Sequence, residues 1–243
     1  TLATFLAPQW LNRANYANAW EYVRPFVLNT VVTAVLTMIL SLFFASLSAF
    51  VFSRFQFPGK TIFYSMIIVL LMIPGVLNLV PLFSIVKGMQ LLDQPLNAWG
   101  YLKAVLVLVL PAVAGGQIMN VYIMRNNLET LAKDLFDAAR IDGASNFQTY
   151  WHIAVPLSRP IMGTLAIFAL LAQWNNFIWP WTVIQQQEYM TVTAGLALLE
   201  GQNLSDYGLQ MAGATLASLP LILLFFFTMN LFIRGIQSGA IKA

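Results

Sequence analysis

Between Leu128 and Pro160 the chain places seven charged side chains: Glu129, Lys133, Asp134, Asp137, Arg140, Asp142 and Arg159. This is the only long polar stretch among hydrophobic runs, and its chemistry is that of ionic contact with a partner surface. A second group of candidates is uncharged. Asn78, Gln117, Asn120, Gln173, Asn175, Asn176 and Asn230 fall within apolar runs, and Gln173 to Trp181 interleaves amides with Trp174, Phe177, Trp179 and Trp181. Amides beside aromatic faces suit a sugar, through hydrogen bonds to hydroxyls and stacking on C–H faces. Buried amides also link neighbouring helices, and tryptophans form interfacial belts, so both roles stay open. Other chemistries are excluded. There is no cysteine, so disulfides, thiolate metal sites and thiol nucleophiles are ruled out, and His152 is the single histidine. No G-x-x-x-x-G-K-S/T phosphate loop occurs, so any ATP must be handled by another polypeptide.

The polar stretch predicts two short helices. Leu128, Leu131, Leu135 and Ala139 recur at helical spacing and predict an amphipathic first helix. Ala138 and Ala139 make it thin on one side, where another backbone could approach. Gly143 ends it, because glycine takes the left-handed turn at a helix C-terminus without steric cost. Ser145 with Gln148 predicts a capping box opening the second helix, and Pro156 is expected to stop it. Such an elbow fits a cleft in a partner; it also fits a helical loop lying on the membrane surface. Lys133 and Asp137 form a reverse-order i,i+4 pair worth about 0.3 kcal/mol, and Arg140 and Asp142 read as solvated charge.

With 59% hydrophobic and 9% charged residues and a mean hydropathy of +0.74, the 243-residue chain belongs to the membrane class. A net charge of +3, dispersed along the chain, does not point to nucleic acid. Five spans are predicted: 26–52, 62–86 (interrupted by Pro74-Gly75 and Pro81), 104–124 (with Pro111), 160–184 and 211–233. Each exceeds the roughly 20 residues a bilayer requires. Residues 1–25 are mixed and aromatic, with Pro8 and Pro25 as breaks, and suit either a membrane interface or packing beneath a loop. Residues 185–210 read as a polar loop. No Asp, Glu, Lys, Arg or His lies inside any predicted span, which counts against a proton-coupled transporter and an intramembrane protease. Placing the 128–160 loop inside puts eight Lys and Arg residues there and four outside, so the loop and the C-terminus are expected to be cytoplasmic.

The residues Asp137-Ala138-Ala139-Arg140-Ile141-Asp142-Gly143-Ala144, followed by Ile153 and Pro156, resemble the cytoplasmic "EAA" signature of ABC-importer permeases. Asp-Gly-Ala after the alanines, and Pro-Leu-x-x-Pro from Pro156 to Pro160, resemble the carbohydrate-importer branch. The match departs in two places: Asp137 stands for the usual glutamate, and Val155 for leucine. Trp174-Asn175 matches a Trp-Asn pair common in that branch, and Arg234-Gly235 with Gly239-Ala240-Ile241-Lys242 resembles its ending. The resemblance runs from about Asn29 to Lys242. It implies an all-α integral membrane fold, a type I importer bundle with a cytoplasmic coupling helix, forming one transmembrane domain over residues 1–243. Six spans are typical, so one upstream span is expected beyond the five here.

The resemblance further implies a second, non-identical permease, a dimeric ATPase that holds ATP and magnesium, and an extracytoplasmic solute-binding protein, in a bacterial or archaeal cytoplasmic membrane. This chain itself would be neither an enzyme nor a cofactor carrier. The implied coupling residues are Asp137, Ala138, Ala139, Gly143, Ile153 and Pro156. The candidate solute-pathway residues are Trp174, Asn175, Asn176, Gln117, Asn120 and Asn78. The expected function is import of a sugar or related polyol. A stand-alone channel, a scaffold that recruits a partner through the loop, and an importer of another solute are the competing readings.

Overall fold

A computed structural model describes residues 13–202 and 206–240, with side chains described to residue 226. Trp10, Pro8 and Lys242 lie outside the described residues. All regular structure described is helical. The helices are α1 (Arg13–Arg54), α2 (Lys60–Leu71), α3 (Leu79–Gly88, preceded by a 3-10 turn), α4 (Ala98–Thr130), α5 (Lys133–Ile141), α6 (Asn146–Leu157), α7 (Arg159–Trp174), α8 (Ile178–Val183), α9 (Val192–Gln202) and α10 (Tyr207–Ala240). Helices are the expected solution for such a sequence, because a backbone in hydrocarbon must satisfy its own hydrogen bonds. By length and composition α1, α4 and α10 can each cross a membrane, and the bent pairs α2/α3 and α6/α7 bring the number of candidate spans to five.

Several boundaries differ from expectation. Pro25 does not break the chain; it lies inside α1, which begins at Arg13 rather than Phe26. One lost N–H bond is tolerated there because Val23, Phe26 and Val27 on either side are all buried and hold the helix in place. Pro74, by contrast, takes an extended conformation (φ −59°, ψ 125°), and α2 and the helical run from Gly75 to Gly88 meet at a 100° bend. Pro81 lies in the first turn of α3 and interrupts nothing, since the N–H it lacks is least needed there. The fourth predicted span, 160–184, divides into α7, a break at residues 175–177, and α8. At 16 residues α7 is roughly 24 Å long, short of a ~30 Å hydrocarbon core, and it makes a candidate span together with α6 across a sharp bend. The expected polar loop at 185–210 contains α9, and the last helix starts at Tyr207.

The described residues form two compact units, one of 13–35, 80–110, 171–202 and 206–227, the other of 36–79, 111–170 and 228–240. In the first, short polar side chains tie loops to helices. Asn29 donates through Nδ2 to the carbonyls of Glu188 (2.7 Å) and Met190 (3.0 Å), and Val192 N–H donates to Thr30 Oγ1 (2.8 Å). Trp179 Nε1 donates to Val107 O at 2.9 Å, and Gln94 bridges Val183 O and Gln185 N–H. Buried polar groups of this kind contribute about 0.5–1.5 kcal/mol per bond. Asn29→Ala is therefore expected to free the 188–190 segment at a cost of about 1–3 kcal/mol. Amide hydrogen exchange checks this: protection should fall in residues 188–192 and stay unchanged in α4.

Candidate functional site

The second unit contains the polar elbow. Its cluster of buried side chains is Ala49 and Phe50 from α1, Met124 and Leu128 from α4, Phe136 from α5, Tyr150 and Ala154 from α6, and Leu165 from α7. Phe50 is the hub: its ring centroid lies 6.5 Å from that of Phe136 and 5.5 Å from that of Tyr150. Tyr150 Oη also meets Ser46 Oγ at 2.7 Å, both groups being buried, while Ser46 Oγ donates to Phe43 O. The elbow is thus fastened to the ends of α1 and α4 and to the middle of α7 by one largely aromatic core. Tyr150→Phe should cost about 0.5–1.5 kcal/mol, the worth of one internal hydrogen bond, because the ring stays and Ser46 keeps its carbonyl partner. Thermal unfolding of the purified protein measures it.

The expected single helix through Leu128, Leu131, Leu135 and Ala139 is corrected. Leu128 belongs to the last turn of α4, the chain bends at Leu131–Ala132, and α5 starts at Lys133. The bend resets the helical phase, so α5 buries Phe136 and Ala139 and turns Leu135 outward. Its outer face carries Leu135, Ala138 and Ile141, with Ile141 86% exposed. The two alanines therefore point different ways: Ala138 is accessible and Ala139 packs inside. Asp137 lies on the exposed side and pairs loosely with Arg140 at 3.8 Å, not with Lys133. Asp134 in the first turn and Arg140 in the last both complement the helix dipole.

The turn after α5 follows the expectation closely. Gly143 has φ +80°, Ala144 N–H donates to Ala139 O (2.9 Å), and Gly143 N–H donates to Arg140 O (3.1 Å). This paired pattern is a Schellman motif, which requires a left-handed residue at Gly143. Ser145 and Gln148 form the reciprocal capping box that opens α6. Pro156 does not stop α6. The helix widens to π geometry over Tyr150–Ala154, with Val155 N–H donating to Tyr150 O, and helical structure continues to Leu157. The wider turn relieves the clash that a proline ring makes with the carbonyl four residues before it. The bend falls at Ser158, where α6 and α7 meet at 75°. Ile153 and Pro156 are half-buried, and Ile153 packs against the core. Phe147 and Trp151 stay exposed with nearly parallel rings, 12° apart.

The candidate pathway residues are dispersed. In the second unit Gln117 Nε2 donates to Ser41 O (3.1 Å) and Asn120 Nδ2 to Ser41 Oγ (2.8 Å), so both join α4 to α1. Asn78 is exposed in the 3-10 turn before α3. In the first unit Trp174 is 7% exposed, Asn175 Nδ2 donates back to Leu171 O at the end of α7, and Asn176 O accepts from Thr193 Oγ1.

Arg54, one of the eight basic residues counted on the loop side, has a role that the sequence did not show. It is the last residue of α1, and its Nη2 donates to Leu128 O and to Leu131 O (3.2 Å). Its guanidinium carbon lies 3.7 Å from the centroid of the Phe136 ring. Arg125, held to Glu129 at 2.6 Å, stacks likewise on Tyr64 of α2 at 3.8 Å. No group of three or more His, Asp or Glu side chains suited to a metal occurs among the described residues.

Comparison with known proteins adds four findings. The family model described as "Binding-protein-dependent transport system inner membrane component" matches residues 37–238. The arabinooligosaccharides transport system permease protein AraQ of Bacillus subtilis is 31% identical over 88% of this chain and 72% of its own length. The diacetylchitobiose uptake system permease protein NgcG of Streptomyces coelicolor is 29% identical over 91% and 71%. Among solved structures, a bacterial ABC transporter involved in import of the acidic polysaccharide alginate matches with a TM-score of 0.74 at 20% identity, over 90% of this chain and 79% of that one, and shares the fold. An all-helical membrane fold carrying an elbow between α4 and α7, together with the family match over residues 37–238, leads to one conclusion: this chain belongs to the binding-protein-dependent transport system inner membrane components, the permease subunits of ABC importers.

Proposed function

We propose that the chain is the membrane-spanning subunit of an ATP-driven importer for a sugar or related polyol, and that the α5–α6 elbow receives a separate ATPase dimer. The observation that carries the docking half is the outer face of α5. Leu135, Ala138 and Ile141 form an apolar strip on an otherwise charged helix, backed by a rigid aromatic core. Exposed apolar side chains rimmed by charge are the mark of a protein interface. The cargo half is supported by relatives named for oligosaccharide transport. A second cargo class has one observation in its favour, a relative named for uptake of osmoprotective compounds in Synechocystis, 29% identical.

In this reading ATP and magnesium are held by the ATPase, and this chain supplies no phosphate-binding group. Closure of the ATPase displaces the elbow, and the Phe50–Phe136–Tyr150 core passes the displacement to α1, α4 and α7. A second permease completes the pathway, and an extracytoplasmic binding protein delivers solute. The excess of Lys and Arg on the elbow side supports a cytoplasmic elbow and C-terminus. Asn78, Asn175 and Asn176 are the pathway candidates best placed for solute, while Gln117 and Asn120 shape the pathway by joining α1 to α4.

Proteoliposomes test the proposal. Uptake of labelled oligosaccharides should require the copurified ATPase, ATP and the binding protein together. Uptake by this chain alone would make it a facilitator instead.

A further inference from the structure

We infer that Arg54 is a positioning residue that clamps the end of α1 to both sides of the bend between α4 and α5, so that the coupling helix and the first span move as one body. The inference deepens the importer reading and rests on it. Three observations converge. First, α4 ends at Thr130, so the carbonyl of Leu128 receives a long bond from Leu131 N–H (3.3 Å) in place of a regular helical one, and the bend leaves that of Leu131 outside any helix. Arg54 Nη2 donates to both. A cation at a helix C-terminus also complements its dipole. Second, the carbon of the same guanidinium lies over the ring of Phe136, which belongs to α5 beyond the bend and is 4% exposed. One rigid planar group therefore touches the chain before the bend, at it and after it. Third, α5 has no side-chain cap at its N-terminus, where Ala132 occupies the capping position. The angle at which α5 leaves α4 is therefore not held by a cap, and the clamp adds a constraint from another helix to the packing of Leu131.

Lysine cannot replace this geometry. An ammonium has three donors but no planar face, so it can reach the carbonyls but cannot at the same time stack on Phe136 as a guanidinium does. The acidic neighbours Glu129 and Asp137 interact electrostatically with the guanidinium, but neither forms an ion pair with it. The clamp is therefore directional rather than merely charged.

The test uses the assembled transporter with its ATPase, and the absence of native cysteine makes labelling simple. Spin labels at Val51→Cys on α1 and Asp134→Cys on α5, both exposed, report the distance distribution across the clamp. Solute-stimulated over basal ATP turnover reports coupling. Arg54→Gln should broaden the distribution at least twofold and lower the stimulation ratio about tenfold; Arg54→Lys should fall between. Phe136→Leu, which keeps the charge and the apolar volume, should broaden it as well. Should Arg54→Gln fail to assemble, Phe136→Leu decides on the same two readouts. A narrow distribution and an intact ratio in the substituted protein overturn the clamp. A wild-type complex without solute-stimulated turnover overturns the importer reading instead, and the distance distribution then still judges the clamp.

Discussion

Gly143→Val is expected to leave the spans folded and to lower solute-stimulated ATP turnover of the assembled complex at least tenfold. The backbone at Gly143 has φ +80°, which a β-branched residue adopts only with strain of about 1–3 kcal/mol. Space is not the obstacle, since a Cβ there would meet nothing within 4 Å. The loss must then arise from the turn. Once φ turns negative, the bonds from Ala144 to Ala139 and from Gly143 to Arg140 cannot both form, and α6 leaves α5 in a new direction. A graded series separates this cause from a steric one. Asparagine, which tolerates the left-handed region, should retain most coupling, alanine less, and valine least. Equal losses for asparagine and valine would point to side-chain volume at an interface. Turnover with and without solute, alongside the amount of ATPase copurified, provides the readout.

Phe136→Ala should give the largest loss of stability. Phe136 is 4% exposed at the centre of the elbow core, packed on Phe50 and under Arg54. Emptying such a site typically costs 3–5 kcal/mol from lost burial and the residual cavity, roughly. The cation–π contact adds about 0.5–2 kcal/mol, and Arg54 would lose its apolar backing. Ile141→Ala, on the outer face of the same helix at 86% exposure, should change stability by no more than about 0.5 kcal/mol. The pair turns the two faces of one helix into opposite outcomes. Phe136→Ala lowers the unfolding midpoint of the purified chain, whereas Ile141→Ala keeps the midpoint and reduces the ATPase that copurifies. If Ile141→Ala instead lowered the midpoint and kept the ATPase, the outer face would be packing surface.

How much of this was legible in the sequence depends on the range of the forces involved. Local signals read well. Gly143 and the Ser145–Gln148 box were placed correctly because their physics is complete within four or five residues. The apolar runs of α1, α4 and α10 read well for the same reason, being set by hydropathy alone. Failures occurred where a distant partner or a compensating distortion decides. Leu135 matched the helical period yet faces outward, because a bend at Leu131–Ala132 shifts the phase and Phe136 fits against Phe50 instead. Pro156 carries a stop signal that the π-turn before it absorbs. Pro25 sits inside α1 because buried neighbours outweigh one missing N–H. The roles of Arg54 and Tyr150 needed the fold, since their partners lie 74 and 104 residues away. Of the proposed coupling residues, the structure separates Ala138 from Ala139 by face, a distinction the motif spacing alone does not carry.

Cysteine crosslinking between the elbow and the ATPase of the assembled complex tests the central claim most directly. The chain has no cysteine of its own, so Ala138→Cys on the exposed face of α5 and Ala139→Cys on the buried face can be compared in one background. The account predicts that Ala138→Cys crosslinks to the ATPase in high yield, that Ala139→Cys does not, and that neither reacts with an impermeant maleimide added outside intact cells. Labelling of Ala138→Cys from outside, or the absence of any crosslink from it to a nucleotide-hydrolysing partner, would contradict it.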